Sequence, residues 1–136
     1  MRILGLDHGT KRIGVAVSDE LKMIAQPLVF IDAEPLASAL EQLCGILKEK
    51  DVELIVLGMP RNMDGTYGPA AEKVREFMTQ LTNVTSLPIR TWDERLTSAQ
   101  ANRILLEANV RRGKRKEKVD AMAAAVLLQS FLDVQS

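Results

Sequence analysis

The sequence predicts an α/β fold: a mixed sheet of five strands, led by an antiparallel hairpin and flanked by helices on both faces. Three observations carry this prediction. Uninterrupted apolar runs at 3–6 and 54–57 have the length and character of central strands buried on both sides. Two strand-like stretches near the N-terminus are separated by only a short glycine-containing turn, which joins antiparallel neighbours and is too short for a crossover. Further along, strand patterns alternate with stretches of helical period, the order that covers a sheet with helices.

The elements follow in order. Residues 3–7 and 13–18 form the hairpin, and 28–31 a weaker third strand introduced by Pro27. Pro35 opens a helix whose apolar positions Leu36, Ala39, Leu40, Leu43, Ile46 and Leu47 repeat at helical spacing. Cys44 sits among those leucines and reads as a buried thiol. The strand at 54–57 leads into a loop at 58–69, rich in Gly, Asn and Asp and too long for a simple turn. A helix over 70–81 presents Val74, Phe77, Met78 and Leu81 inward, and the last strand spans 88–93. Thr97 or Ser98 caps a helix carrying Ala101, Ile104, Leu105 and Ala108. A basic loop at 111–118 precedes a final helix over 118–132, with Ala123, Ala124, Leu127, Leu128 and Phe131 on its apolar stripe. The length of 136 residues fits one domain over 1–136, and no repeat or long linker divides it.

Composition narrows the function classes. The chain is 46% hydrophobic but only 4% aromatic, so its core is aliphatic. No apolar stretch is long enough for a membrane span, and the opening Met1-Arg2-Ile3 lacks the apolar segment of a signal peptide. The single cysteine excludes an internal disulfide and a cysteine-rich zinc site. A cytoplasmic protein without a membrane role is expected. Eighteen basic and eighteen acidic residues cancel, so any phosphate binding must rest on local charge. The segment 111–118, with six basic residues in eight, is one such place.

Chemistry concentrates on carboxylates. Asp7 stands where the first apolar strand leaves the core, a costly position unless the carboxylate is hydrogen-bonded, paired or bound to a cation. Asp120 falls in the first turn of the last helix and on its apolar face; the helix dipole accounts for its place along the helix but not for that face. Asp93 and Glu94 end the last strand. Alternation allows only one of them to share a site with Asp7 and does not choose between them. Carboxylates at strand ends and a helix start are hard oxygen ligands suited to Mg²⁺ or Mn²⁺. Two such ions about 4 Å apart support phosphodiester hydrolysis. The only histidine, His8, adjoins Asp7 on a strand and so points to the other face, as a packing or rim residue. With no other histidine, a serine or cysteine triad has little support.

Four blocks carry a resemblance. Gly5-Leu6-Asp7-His8-Gly9-Thr10-Lys11-Arg12-Ile13-Gly14-Val15-Ala16-Val17-Ser18-Asp19 resembles the opening signature of the YqgF/RuvX family. The same holds, in the same order, for Gly58-Met59-Pro60-Arg61-Asn62-Met63-Asp64-Gly65-Thr66 with 68–74 after it, for Asp93-Glu94-Arg95-Leu96-Thr97-Ser98, and for Val119-Asp120-Ala121-Met122-Ala123-Ala124. The resemblance covers essentially the whole chain and implies a ribonuclease H-like fold related to junction resolvases of the RuvC kind. It also implies a catalytic, metal-holding set of Asp7, Glu94 and Asp120. The choice of Glu94 over Asp93 comes from the family pattern, and Asp19 or Asp93 remains a candidate helper. Members of the family are described as Holliday-junction resolvases and as nucleases that mature the 5′ end of precursor 16S ribosomal RNA.

Other matched residues are candidates for substrate binding. Thr10, Lys11 and Arg12 lie beside Asp7 in sequence, where they could hold a scissile phosphate. Asn62, Asp64 and Thr66 lie in the loop after a central strand, where open sheets place ligands. Arg95 is placed to contact phosphate or pair with Glu94, and Arg112, Lys114, Arg115 and Lys116 to steer a nucleic-acid backbone. The expected function is therefore a nuclease using Mg²⁺ or Mn²⁺, two ions in the fullest form, on structured RNA, specifically precursor 16S ribosomal RNA. Ribosomal precursor particles would then be partners, and branched DNA is the alternative substrate. No dimer stripe stands out, so a monomer or weak homodimer is expected. Two further readings compete. Asp-x-Gly-Thr also resembles the first phosphate motif of actin-like ATPases and sugar kinases, but those need a second domain. A non-catalytic nucleic-acid or ribosome-assembly factor would not need all three carboxylates.

Overall fold

The computed structural model describes residues 1–9, 11–60, 66–93 and 119–135, with the side chains of 119, 120 and 135 left out. The strands are β1 (Arg2–His8), β2 (Arg12–Ser18), β3 (Ala25–Asp32), β4 (Val52–Met59) and β5 (Ile89–Asp93). The described helices are α1 (Leu36–Glu49), α2 (Pro69–Thr82) and α3 (Val119–Gln135). The strands form one sheet in the order β3-β2-β1-β4-β5. β1, β2 and β3 are antiparallel neighbours, whereas β4 runs parallel to β1 and β5 parallel to β4.

The hairpin turn is tight. The Gly9 amide donates to the Arg12 carbonyl at 2.8 Å, and a Cβ at Gly9 would stand 2.8 Å from that same oxygen. Only glycine fits there without moving backbone. The central strands β1 and β4 alternate large apolar side chains to both faces, as their uninterrupted runs require. Leu4, Leu6, Ile13, Val15, Ile31, Ile55 and Leu57 form one core with Leu43 and Leu47 of α1 and with Val74, Phe77 and Leu81 of α2. Ile3, Ala16, Ala25 and Val56 form a second core with Ala124, Ala125, Leu128 and Phe131 of α3. The sheet is thus covered by α1 and α2 on one face and by α3 on the other.

Several boundaries differ from expectation for physical reasons. β3 begins at Ala25, before Pro27, because it is a sheet edge and pairs across a register shift between Val15 and Ala16; an edge strand and a bulge both tolerate proline. β4 keeps Gly58 and Met59 in the ladder with β5, so the loop starts two residues later than the glycine suggests. α3 is buried on most of its circumference, but Ala123 is exposed, against the expected stripe. Cys44 is only half-buried, its Sγ 3.7 Å from the Val84 carbonyl oxygen. The expected helix at 97–108 and basic loop at 111–118 lie outside the described residues.

The end of the sheet remote from Asp7 is locked by one hydroxyl. Buried Ser18 accepts the Ile3 amide at 2.9 Å and donates to the Asp19 carbonyl at 2.9 Å. Ser18→Ala would leave the Ile3 N–H buried without that acceptor. It is expected to cost about 1–3 kcal/mol, measured by urea unfolding with unchanged m-value.

Candidate active site

β1 alternates cleanly. Ile3 joins the core under α3, and a Cβ on Gly5 would lie 2.8 Å from Leu128 Cβ and 3.3 Å from the Ala124 carbonyl oxygen. Asp7, two residues further, therefore faces the α3 side, half-buried at the end of the strand. Leu4 and Leu6 face the other side, and so does His8, whose ring centroid lies 4.7 Å from that of Phe77 in α2. Burial pushes the His8 pKa below its ordinary value, opposed by the nearby Asp7 charge and reinforced by Lys73. His8 is the packing residue that alternation predicts.

α3 runs antiparallel to β1. Ile3 shares a pocket wall with Phe131 and Leu132, while Gly5 lies against Leu128 and Ala124. Two strand residues advance about 6.6 Å and four helix residues about 6 Å. The step from Gly5 to residue 7 thus corresponds to the step from positions 124–128 to positions 120–124. The N-terminal end of α3 comes level with Asp7.

β5 settles its own parity. Trp92 faces α3: its Nε1 donates to Ser130 Oγ at 3.3 Å, and its ring meets Phe131 edge-on at 5.3 Å. Asp93 therefore points to the opposite face, in register with Met59, a member of the core under α1 and α2. Asp93 cannot share a site with Asp7, which corrects its candidacy as a helper. Asp19 is corrected by position. It follows Ser18, beside Ile3, at the far end of β1 from Asp7.

The Asp19 carboxylate instead closes the turn before β3, accepting the Met23 amide at 2.8 Å and the Ile24 amide at 3.0 Å. These bonds, that from Ile24 foremost, hold its pKa below the ordinary value. The depressed pKa means that this stabilisation is complete above the unfolded-state value near 3.9 and is lost as pH falls through the folded-state value. Asp19→Ala should lower Tm at neutral pH, with the gap to the parent closing in acid; a thermal-melt series against pH reads both.

Among the substrate-binding candidates, Lys11 and Arg12 are exposed at the hairpin end nearest Asp7. Thr66 is exposed at the foot of α2. Thr10, Asn62, Asp64, Glu94, Arg95, Arg112, Lys114, Arg115 and Lys116 lie outside the described residues, as does the side chain of Asp120. Among the described residues no group of three or more His, Cys, Asp or Glu comes together. Sequence reasoning missed the aromatic Phe30, over whose ring the Arg12 guanidinium lies at 4.8 Å. It also missed Trp92 as the clamp of α3 on β5. Strand register locates both, and no local motif does.

The strand order, the mixed pairing and the placement of α3, alone among the described helices, on the Asp7 face define a ribonuclease H-like α/β fold. In overall shape the chain is similar to Thermus thermophilus RuvC in complex with a Holliday-junction substrate, with a TM-score of 0.66 at 13% identity over 99% of this chain and 95% of that one. It is also similar to the fowlpox virus resolvase bound to Holliday-junction DNA, with a TM-score of 0.56 at 12% identity over 99% of both chains. At such identities the likeness is one of fold.

The chain belongs to the RuvX family, described as Holliday junction resolvase, which it matches over residues 1–134. A relative from Symbiobacterium thermophilum is 51% identical over 100% of this chain and 94% of its own length. One from Geobacillus kaustophilus is 51% identical over 98% of both. Both carry the name "Putative pre-16S rRNA nuclease".

Proposed function

We propose that this chain, as one domain over 1–136, is a metal-dependent endonuclease that hydrolyses phosphodiester bonds in the 5′-end maturation of precursor 16S ribosomal RNA in the cytoplasm. The observation that carries the reading is Asp7: a half-buried carboxylate at the end of a central strand, facing the helix whose N-terminal end comes level with it. A carboxylate there is stabilised by a cation far better than by apolar neighbours. That Asp93 faces away supports Glu94 of the family pattern as the proposed partner at the end of β5. Asp7, Glu94 and Asp120 form the proposed metal-holding set. The names of relatives at about half identity favour ribosomal RNA over branched DNA as substrate.

Among described helices, none is long and apolar enough to cross a membrane, in keeping with a substrate met in solution. Divalent Mg²⁺ or Mn²⁺, two ions in the fullest form, would supply a water of lowered pKa and charge neutralisation at the phosphate. The chain's own residues do the remainder. Asp7 would hold the cation from the sheet side, since its carboxylate oxygens are acceptors and attract a cation rather than the phosphate itself. Lys11 and Arg12, exposed beside it, attract the backbone. Thr10, Asn62, Asp64, Thr66 and Arg95 are proposed to hold the strand at the cut. Arg112, Lys114, Arg115 and Lys116 are proposed to steer it in.

The test offers end-labelled precursor 16S RNA and a four-way DNA junction side by side, with Mg²⁺ or Mn²⁺ and with Asp7→Asn as control. Metal-dependent cuts at a defined RNA position, absent in the variant, support the proposal. Paired symmetric cuts in the junction alone would replace it with the resolvase reading. A resolvase acting so needs a two-fold dimer, which a sedimentation run on the same protein reads directly.

A further inference from the structure

Phe30 is in an unusual place for one of three phenylalanines in an aromatic-poor chain. Phe77 and Phe131 are core residues. Phe30 belongs to neither described core; it is half-buried on the edge strand β3. Its face is fixed by register. Asp7 pairs with Gly14, and Gly14 pairs with Phe30, so the three form one row across β1, β2 and β3. Directly opposed residues of antiparallel strands point the same way. Phe30 and Asp7 therefore share the α3 face, two strand spacings or about 10 Å apart. Gly14 places no side chain between them. Arg12 lies on the same face, two residues from Gly14, with its guanidinium over the Phe30 ring at 4.8 Å.

An aromatic ring stacked with a guanidinium, beside exposed Lys11 and level with the proposed catalytic carboxylate, matches one ligand chemistry. Nucleobases stack on aromatic rings and on arginine planes, and their phosphates meet the adjacent cations. Paired bases are already stacked in a helix and cannot use such a platform. We propose that Phe30, with Arg12 stacked on it, is a nucleobase-stacking site that takes an unpaired base flanking the scissile phosphate. The enzyme thereby selects single-stranded RNA at the cut over duplex. This inference rests on the nuclease reading for its link to cleavage, but base stacking is measurable without it.

The test uses the full chain carrying Asp7→Asn, so that binding is read without cutting. A single-stranded RNA oligonucleotide bearing 2-aminopurine is the probe, and the same strand annealed to its complement is the comparison. Stacking quenches 2-aminopurine fluorescence. The expected result is quenching by the single strand only. Adding Phe30→Leu should abolish the quenching and weaken binding about 10-fold, and adding Phe30→Trp should retain both. Phe30 lies outside both cores, so circular dichroism melts of the Leu variant should match the parent.

Equal quenching and affinity with Phe30→Leu, or equal preference for duplex, would overturn the proposal. In the active background Phe30→Leu should slow cleavage of single strands while leaving the cut position sharp. If Asp7→Asn itself still cuts, the nuclease site is misplaced, a failure that the quenching result does not share.

Discussion

Asp7→Asn is expected to reduce cleavage by about 10³-fold or more while leaving nucleic-acid binding within a few-fold of the parent. The substitution keeps shape and removes charge. It deletes the one described carboxylate that faces α3 at the end of β1. Folding should not suffer. The proposed metal-holding set gathers like charges, so removing one of them would relieve repulsion in the metal-free protein. Tm of Asp7→Asn should therefore equal or exceed that of the parent, the signature of a site where stability is given up for function. Rate loss together with a lowered Tm would instead describe a structural aspartate. Single-turnover cleavage and a thermal melt on the same preparation separate the two.

Gly5→Ala carries the second large effect, because it changes where the last helix lies. The added Cβ would meet Leu128 Cβ at 2.8 Å and the Ala124 carbonyl oxygen at 3.3 Å. One contact is a side-chain root and the other is backbone, so no rotamer change relieves them and α3 must shift. Overpacking of this kind costs about 1–3 kcal/mol. That is roughly 3–10 °C in Tm for a domain of this size. Leu128→Ala should not rescue it, since alanine keeps the Cβ that makes the contact. The displaced helix also carries its N-terminal end away from Asp7, so residual activity should fall further than the folded fraction does. Cleavage measured well below Tm tests this: full activity there would show that the placement of α3 does not position the site.

Much of the fold was legible because its signals are local. Uninterrupted apolar runs in β1 and β4 reported burial on both faces, the helical period of Leu40, Leu43 and Leu47 reported α1, and the glycine-bearing turn reported the hairpin. His8 was placed correctly by alternation alone, since neighbours on a strand must diverge. Other features were illegible for an equally physical reason. Asp93 and Glu94 differ by one residue, and which of the two faces Asp7 depends on the register of β5 against β4. The indole of Trp92 against Ser130 and Phe131 reveals that register, not the residues of the segment itself. Asp19 looked like a spare acid because sequence proximity to a motif says nothing about which end of a strand a residue occupies.

From the sequence alone came the α/β class, the five strands and their order along the chain, the carboxylate at the end of β1 and the family to which the blocks belong. These depend on periodicity and residue type, which each segment carries by itself. Only the tertiary structure decided that α3 covers the Asp7 face by itself among the described helices, that Asp93 faces away and that Asp19 caps a distant turn. Only the tertiary structure set Phe30 in one row with Asp7 across Gly14. Each of these is a relation between segments far apart in the chain, fixed by strand register and by how closely a helix can approach a glycine.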